Sequence, residues 1–297
     1  MARENSIIKT GIRKVLAAKL KDYYTLVKFR LSFIVVFSAG IGYLFAGGEQ
    51  SGFLLFLLGG FLVTAASNAL NQVLESETDK LMTRTADRPL AALRMQAAEA
   101  ILAAGIFAVA GIGILWYFFN SVSALLGALS LISYAFIYTP MKKISPIAVF
   151  IGAFPGAVPP VIGFAAASGE ITDIALLLFA IQFLWQFPHF WSIAWVAYDD
   201  YAKAGFYLLP SASGKTKSSA SHIVIYSLIL IPVSMLPFIM KMSGLVSTII
   251  VVLTGLLFLL QAYKLYRTCD TKDARKLMFA SFLYLPVVFI SLLIDKL

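Results

Sequence analysis

Charge is scarce in this sequence. Only 13% of its 297 residues are Asp, Glu, Lys or Arg, and 60% are hydrophobic; a soluble domain carries about 25% charged residues. That deficit, with a mean hydropathy of +0.86, excludes an ordinary soluble class and points to an all-α integral membrane protein. Cysteine is nearly absent. Cys269 alone allows neither an internal disulfide nor a cysteine-based metal site. Histidine occurs only at His189 and His222. The first 25 residues lack an apolar core, which excludes a cleavable secretory signal, and Glu4 and Asp22, with sparse serine, argue against a transit peptide. The net charge of +9 does not imply nucleic acid, because the basic residues lie between apolar segments rather than on a soluble module.

What remains is apolar sequence in long runs. Residues 1–25 read as a basic amphipathic helix lying on anionic lipid, with Ile8, Ile12, Leu16 and Leu20 on one stripe. Residues 26–297 read as one membrane domain of nine transmembrane helices. The spans fall near 31–47, 52–72, 97–118, 121–139, 146–168, 174–198, 221–240, 244–263 and 277–294, most of them with the roughly 20 apolar residues that cross a bilayer. Nine spans put all of the 24 lysines and arginines on one side except Lys241 and Lys296. The positive-inside rule then places the N terminus in the cytoplasm and the C terminus outside, in the cell membrane.

Three polar clusters interrupt this pattern, all on the basic side. In NALNQVLESETDKLMTRTADRPL, residues 68–90, Asn71, Glu75 and Asp79 are four apart, with Asn68 on the same stripe. They drift only about 80° around a helix over about 12 Å. Such hard oxygen donors suit Mg²⁺, which keeps waters and completes its shell with substrate phosphate; Lys80, Arg84 and Arg88 are placed to meet that phosphate. In the second cluster, FLWQFPHFWSIAWVAYDDYAKAGFYLLP, Gln182, Gln186 and His189 are polar within an apolar helix. Asp200, eleven residues on, returns to nearly the same face about 16 Å away; a hydrogen bond to a neighbouring helix explains His189 alone, whereas the whole stripe suits a substrate cavity. In the third, SYAFIYTPMKK, Tyr134 and Tyr138 share a face and Pro140 ends the helix before Lys142 and Lys143. Interface tyrosines and positive-inside lysines explain this stretch; a lysine aimed at phosphate is the sharper reading. Between the last two clusters, PGAVPPVIG predicts a kinked span that shapes a cavity.

Together these residues resemble the UbiA superfamily of intramembrane prenyltransferases, most closely its heme-modifying branch, over nearly the whole chain from about Tyr23. The first aspartate-rich motif, Asn-x3-Asp/Glu-x3-Asp, is met by Asn71, Glu75 and Asp79, and RTADRPL, YTPMK, PGAVPPVIG, PHFW and DDYAKAGFYLLP follow in order. Lys203 stands where the second motif of ring-prenylating members has an aspartate. The resemblance implies a nine-helix UbiA-type bundle in which farnesyl diphosphate alkylates a vinyl group of heme b, with addition of water and loss of diphosphate, for heme-copper oxidase assembly. It implies Mg²⁺ as cofactor on Asn71, Glu75 and Asp79, with Lys142 and Asp200 also catalytic. Asn68, Arg84, Arg88, Tyr138, His189 and Asp199 would bind substrate; the helix face that His189 shares with Asp200 further predicts that it ligates or closely contacts the heme iron. The bilayer and a downstream heme A synthase or oxidase are the implied partners. Prenylation of an aromatic quinone precursor is the rival enzyme. A transporter is disfavoured because the acids gather at one membrane face rather than at the midplane, and a non-catalytic assembly factor would not need acids beside cations.

Overall fold

The computed structural model describes residues 2–211 and 213–297, with side chains described from Arg13 onward. Thirteen α-helices follow in chain order: α1 (Ala2–Leu26), α2 (Phe29–Phe45), α3 (Gln50–Asp79), α4 (Ala97–Phe118), α5 (Ser121–Ile132), α6 (Thr139–Met141), α7 (Ala148–Ala157), α8 (Pro159–Ser168), α9 (Asp173–Val196), α10 (Tyr198–Lys203), α11 (Lys217–Ile239), α12 (Leu245–Thr268) and α13 (Thr271–Ile294). A π-helical turn, Ser133–Tyr138, joins α5 to α6. Among the described residues eight helices, counting α5–α6 and α7–α8 as one each, are long and apolar enough to cross a bilayer; α2, bent 47° from α1, brings the number to nine. Large apolar side chains such as Leu54, Leu102, Val109, Leu257 and Leu283 point outward, as expected where lipid replaces water. Leu16 and Leu20 of α1 are also exposed; the side chains of Ile8 and Ile12 lie outside the described residues.

The α7–α8 span is the most enclosed, and its chemistry accounts for two polar residues read from the sequence as cavity lining. Proline has no N–H, so Pro159 and Pro160 deprive the carbonyls of Pro155 and Gly156, four residues back, of their helical donors. In hydrocarbon such oxygens must be satisfied from elsewhere. The Ser130 hydroxyl donates to the Pro155 carbonyl at 3.2 Å, and Gln182 Nε2 to the Gly156 carbonyl at 2.7 Å. Gln186 Nε2 reaches the Ala153 carbonyl at 3.1 Å. Gln182 thus mends a broken span, while Gln186 ties α9 to an α7 carbonyl that no proline has deprived of its donor; the cavity stripe inferred for them is corrected. Gln182 Oε1 also accepts from the Ser38 hydroxyl. Gln182→Leu, which orphans two buried partners, should cost about 1–3 kcal/mol for each, read as a lower unfolding midpoint in detergent.

Helices α2 and α8 pack closely through glycine. A Cβ added at Gly163 would fall on the Ala39 carbonyl oxygen, and one at Gly42 on the Pro160 carbonyl oxygen. Small residues allow such backbone approach between membrane helices. At the opposite end from the acid stripe, Asp295 accepts from the Ser247 backbone N–H at 2.7 Å and Lys296 lies over the Phe45 ring.

Candidate active site

Helix α3 runs past its apolar segment, and its last turns carry the acid stripe into a buried setting: Asn71 is wholly buried, and Glu75 and Asp79 nearly so. Each meets a cation. Both Asp79 oxygens accept from Arg88 Nη1, at 2.8 and 2.7 Å. Glu75 Oε1 accepts from Lys142 Nζ at 2.8 Å. Asn71 Oδ1 accepts from Lys28 Nζ at 2.6 Å. The three sequence clusters therefore converge. Lys142 joins the third to the first, and its ammonium stands 4.6 Å over the Tyr138 ring, which the π-helical turn sets beside Tyr134. Asp200 joins the second to the first: its Oδ2 accepts from the Arg84 backbone N–H at 3.3 Å, while the Arg84 guanidinium lies against Tyr201. Burial opposes the Asp200 charge, but hydrogen bonds from Lys203 and from the Arg84 and Thr83 backbone outweigh it and hold this carboxyl below its ordinary range.

The orientation of Asn71 follows from its neighbours. The Thr139 hydroxyl gives its proton to the Tyr134 carbonyl at 2.9 Å, so its oxygen can only accept from Asn71 Nδ2, at 3.1 Å. Amide direction must be inferred from such a network, and here it turns the Asn71 oxygen toward the cations. Glu75 Oε2 has no hydrogen bond among the described residues. Among those residues no three His, Cys, Asp or Glu side chains gather as a metal cage. The donor set fits Mg²⁺, a hard ion that takes few carboxylates and leaves positions for water and phosphate: two acids and an amide oxygen on one stripe, with one carboxylate oxygen free.

Other sequence expectations need correction. Asn68 does not join the stripe's chemistry; its Nδ2 donates to Ser32 Oγ at 3.0 Å and toward the Val27 carbonyl at 3.4 Å. Asp199 is exposed, 3.6 Å from Lys215, apart from the acid stripe. His189 and Asp200 do not share a helix face, because α9 ends at Val196 and Ala197 (φ −96°, ψ 16°) breaks the run before α10. Lys28 was missed. It entered the sequence reading only as one basic residue among many, and a lysine gives no sign of the left-handed turn that aims it inward.

His189 sits elsewhere, with an informative hydrogen-bond partner. Its Nδ1 is 2.7 Å from Ser281 Oγ, whose own proton goes to the Met278 carbonyl at 2.6 Å. With the Ser281 proton on that carbonyl, Nδ1 donates and Nε2 of the neutral ring keeps a free lone pair; in the other tautomer Ser281 donates to Nδ1. The ring stacks on Trp185 at 4.3 Å and meets the edge of Phe282. Trp185 and Phe282 also line an apolar cavity of about 280 Å³ between α2, α9 and α13, with Phe33, Ile34 and Phe289; Phe33 and Ile34 are exposed on the lipid-facing surface.

A model of the UbiA prenyltransferase family matches residues 35–285. Among curated relatives, a protoheme IX farnesyltransferase of Cytophaga hutchinsonii is 48% identical over 284 residues, covering 95% of this chain and 99% of its own. One of Solibacter usitatus is 42% identical, covering 93% and 99%, and one of Christiangramia forsetii 42%, covering 97% of each. Among solved structures, a digeranylgeranylglyceryl phosphate synthase superposes with a TM-score of 0.77 at 20% identity, over 94% of this chain and 98% of that one. A UbiA homolog from Archaeoglobus fulgidus bound to GPP and Mg²⁺ gives 0.70 at 15%, over 91% and 99%; these two show the fold.

Proposed function

The chain belongs to the UbiA prenyltransferase family, and from that premise we propose that it transfers the farnesyl group of farnesyl diphosphate to a vinyl group of heme b. Water adds, diphosphate leaves, and the product is heme O for heme-copper oxidases. The observation that carries this reading is the convergence of Asn71, Glu75 and Asp79 with Lys28, Lys142 and Arg88 at one end of an apolar bundle. The nature of the acceptor comes from relatives named protoheme IX farnesyltransferase.

Bound Mg²⁺ would supply electrophilic stabilisation of the departing diphosphate oxygens. Asn71, Glu75 and Asp79 would hold it, and an anionic ligand would draw Arg88 and Lys142 from the carboxylates onto phosphate oxygens. Fixed cations in a dry site stabilise developing negative charge far better than water does. Tyr134, Tyr138 and Phe206 wall the cations, excluding water that would otherwise capture the allylic cation. Arg84 and Asp200, linked through the Arg84 backbone, close this end of the site.

The apolar cavity beside His189 is a lipid-side place for the second substrate. With Nδ1 anchored on Ser281, Nε2 is free to bind heme iron, imidazole being a common axial ligand whose orientation is set by the partner of its other nitrogen. The heme-bound protein should show a histidine-ligated Soret band that His189→Ala shifts or removes; an unchanged spectrum and heme affinity would make His189 structural. In this reading residues 1–25 lie on the cytoplasmic membrane face, residues 26–297 form the nine-span domain and the C terminus is outside. The product passes to a heme A synthase or oxidase.

The deciding experiment extracts hemes from membranes with and without the expressed protein. Heme B should give way to a more hydrophobic heme O. A farnesylated or prenylated aromatic acid with heme B untouched would favour the quinone-precursor reading instead.

A further inference from the structure

The site's charges do not balance. Arg88 faces Asp79 and Lys142 faces Glu75, but Lys28, half-buried, meets only the neutral Asn71 oxygen among the described residues. A partly desolvated ammonium beside a neutral amide is poorly compensated: Lys28 shares its field with Glu75 and Asp79, but also with Arg88 and Lys142, the cations that already face those two acids. The backbone here is strained as well. Lys28 has φ 46° and ψ 56°, the left-handed region that side chains other than Gly, Asn and Asp seldom adopt. Strain of this kind persists only where surrounding structure over-determines it.

That structure is identifiable. The chain bends 47° between α1 and α2, and the carbonyls at the bend take donors from several directions: Thr25 accepts from the Lys28 backbone N–H at 3.2 Å, and Val27 from the Ser32 hydroxyl at 2.7 Å. Two side-chain amides of α3 add donors across the bend. Gln72 Nε2 donates to the Thr25 and Leu26 carbonyls, both at 2.9 Å, and Asn68 Nδ2 reaches Val27. On the outer side, α1 is fastened by Lys19 and Tyr23 to Glu99, and by Asp22 to Arg94, which also holds Asp87 between Arg84 and Arg88. Asn68 and Gln72 thus set the bend from the same helix that carries Asn71, Glu75 and Asp79.

We propose that Lys28 is a diphosphate-binding residue, held in a left-handed turn by Asn68 and Gln72 so that its ammonium meets the ligand beside Asn71. The inference rests on the prenyl diphosphate reading above and adds a residue to it. Lys28 contacts the anion directly; Gln72 and Asn68 position it.

The test uses full-length protein in nanodiscs, with inorganic pyrophosphate and Mg²⁺ as the probe in calorimetry. Lys28→Met should weaken pyrophosphate binding about 10- to 100-fold, the range for a lost charge-assisted hydrogen bond, and raise KM for farnesyl diphosphate while leaving heme affinity unchanged. Lys28→Arg should restore most of the affinity. Two lipid compositions separate the anion's sources. Equal losses in phosphatidylcholine and phosphatidylglycerol discs are expected, whereas a Lys28 effect that depends on phosphatidylglycerol would assign the residue to a lipid headgroup and overturn the proposal. Wild-type affinity in Lys28→Met would also overturn it, leaving Lys28 a tether for the bend. Failure of the wild-type protein itself to bind pyrophosphate would instead sink the prenyl diphosphate reading.

Discussion

Asp79→Ala should abolish turnover, with a loss of at least about 10³-fold, because it removes a carboxylate proposed to hold the metal and releases Arg88 from its place; deleting one group that stabilises developing charge costs about 10²–10³ alone. It should also destabilise the protein. Asp79 is 1% exposed and the Arg88 side chain 15%, so the truncation leaves a largely buried guanidinium without its anion, at a cost of about 3–5 kcal/mol. The two effects separate in a double replacement. Asp79→Asn with Arg88→Gln removes both charges and should recover much of the unfolding midpoint, yet turnover should stay lost. Recovery of turnover together with stability would show that Asp79 serves only as the partner of Arg88, and the metal assignment would fall.

Gly163→Val should prevent the bundle from forming. Its Cβ would sit on the Ala39 carbonyl oxygen, a backbone atom that no rotamer change can move, so α2 and α8 must separate. Ordinary overpacking costs about 1–3 kcal/mol; a backbone collision repeated by two γ carbons should exceed that. Separation would also draw Ser38 from Gln182 and shift the start of α2, where Lys28 is set. Detergent extracts should give no monodisperse protein peak by size-exclusion chromatography, whereas Leu283→Val, on an exposed position of α13, should match the wild type. A monodisperse, active Gly163→Val protein would mean that the α2–α8 contact is looser than described.

The spans were legible in the sequence because hydropathy along one chain is a local property, and the basic side followed from where lysine and arginine fall. The acid stripe was legible for a similar reason: four-residue spacing in one helix fixes a common face. Relations between helices were not. Nothing in YTPMK says that Lys142 meets Glu75, or in DDYAKAG that Asp200 meets the Arg84 backbone; those pairings exist only once α3, the π-helical turn and α10 are packed. Extrapolating one helix from His189 to Asp200 failed at Ala197, where the backbone leaves the α region before a six-residue helix. Asn68 failed differently. Its spacing put it on the stripe, but the bend at Val27 offered its amide a nearer acceptor. Lys28 was hidden because the carbonyls beside it are bonded by Gln72 and Asn68, forty or more residues away.

The bond from Gln182 to the Gly156 carbonyl constrains the order in which Gln182 and Pro160 can be replaced. Pro160 without Gln182 strands a peptide oxygen in hydrocarbon, whereas Gln182 facing an unbroken helix merely adds a second donor to an oxygen already served by residue 160. A lineage could therefore acquire the glutamine first and the proline afterwards, but not in the other sequence without passing through a damaged intermediate. Reversion is ordered the opposite way: Pro160→Ala opens the route by which Gln182→Leu becomes tolerable. The order in which the two sites tolerate replacement is therefore directional, because the Gly156 carbonyl needs a donor at every step.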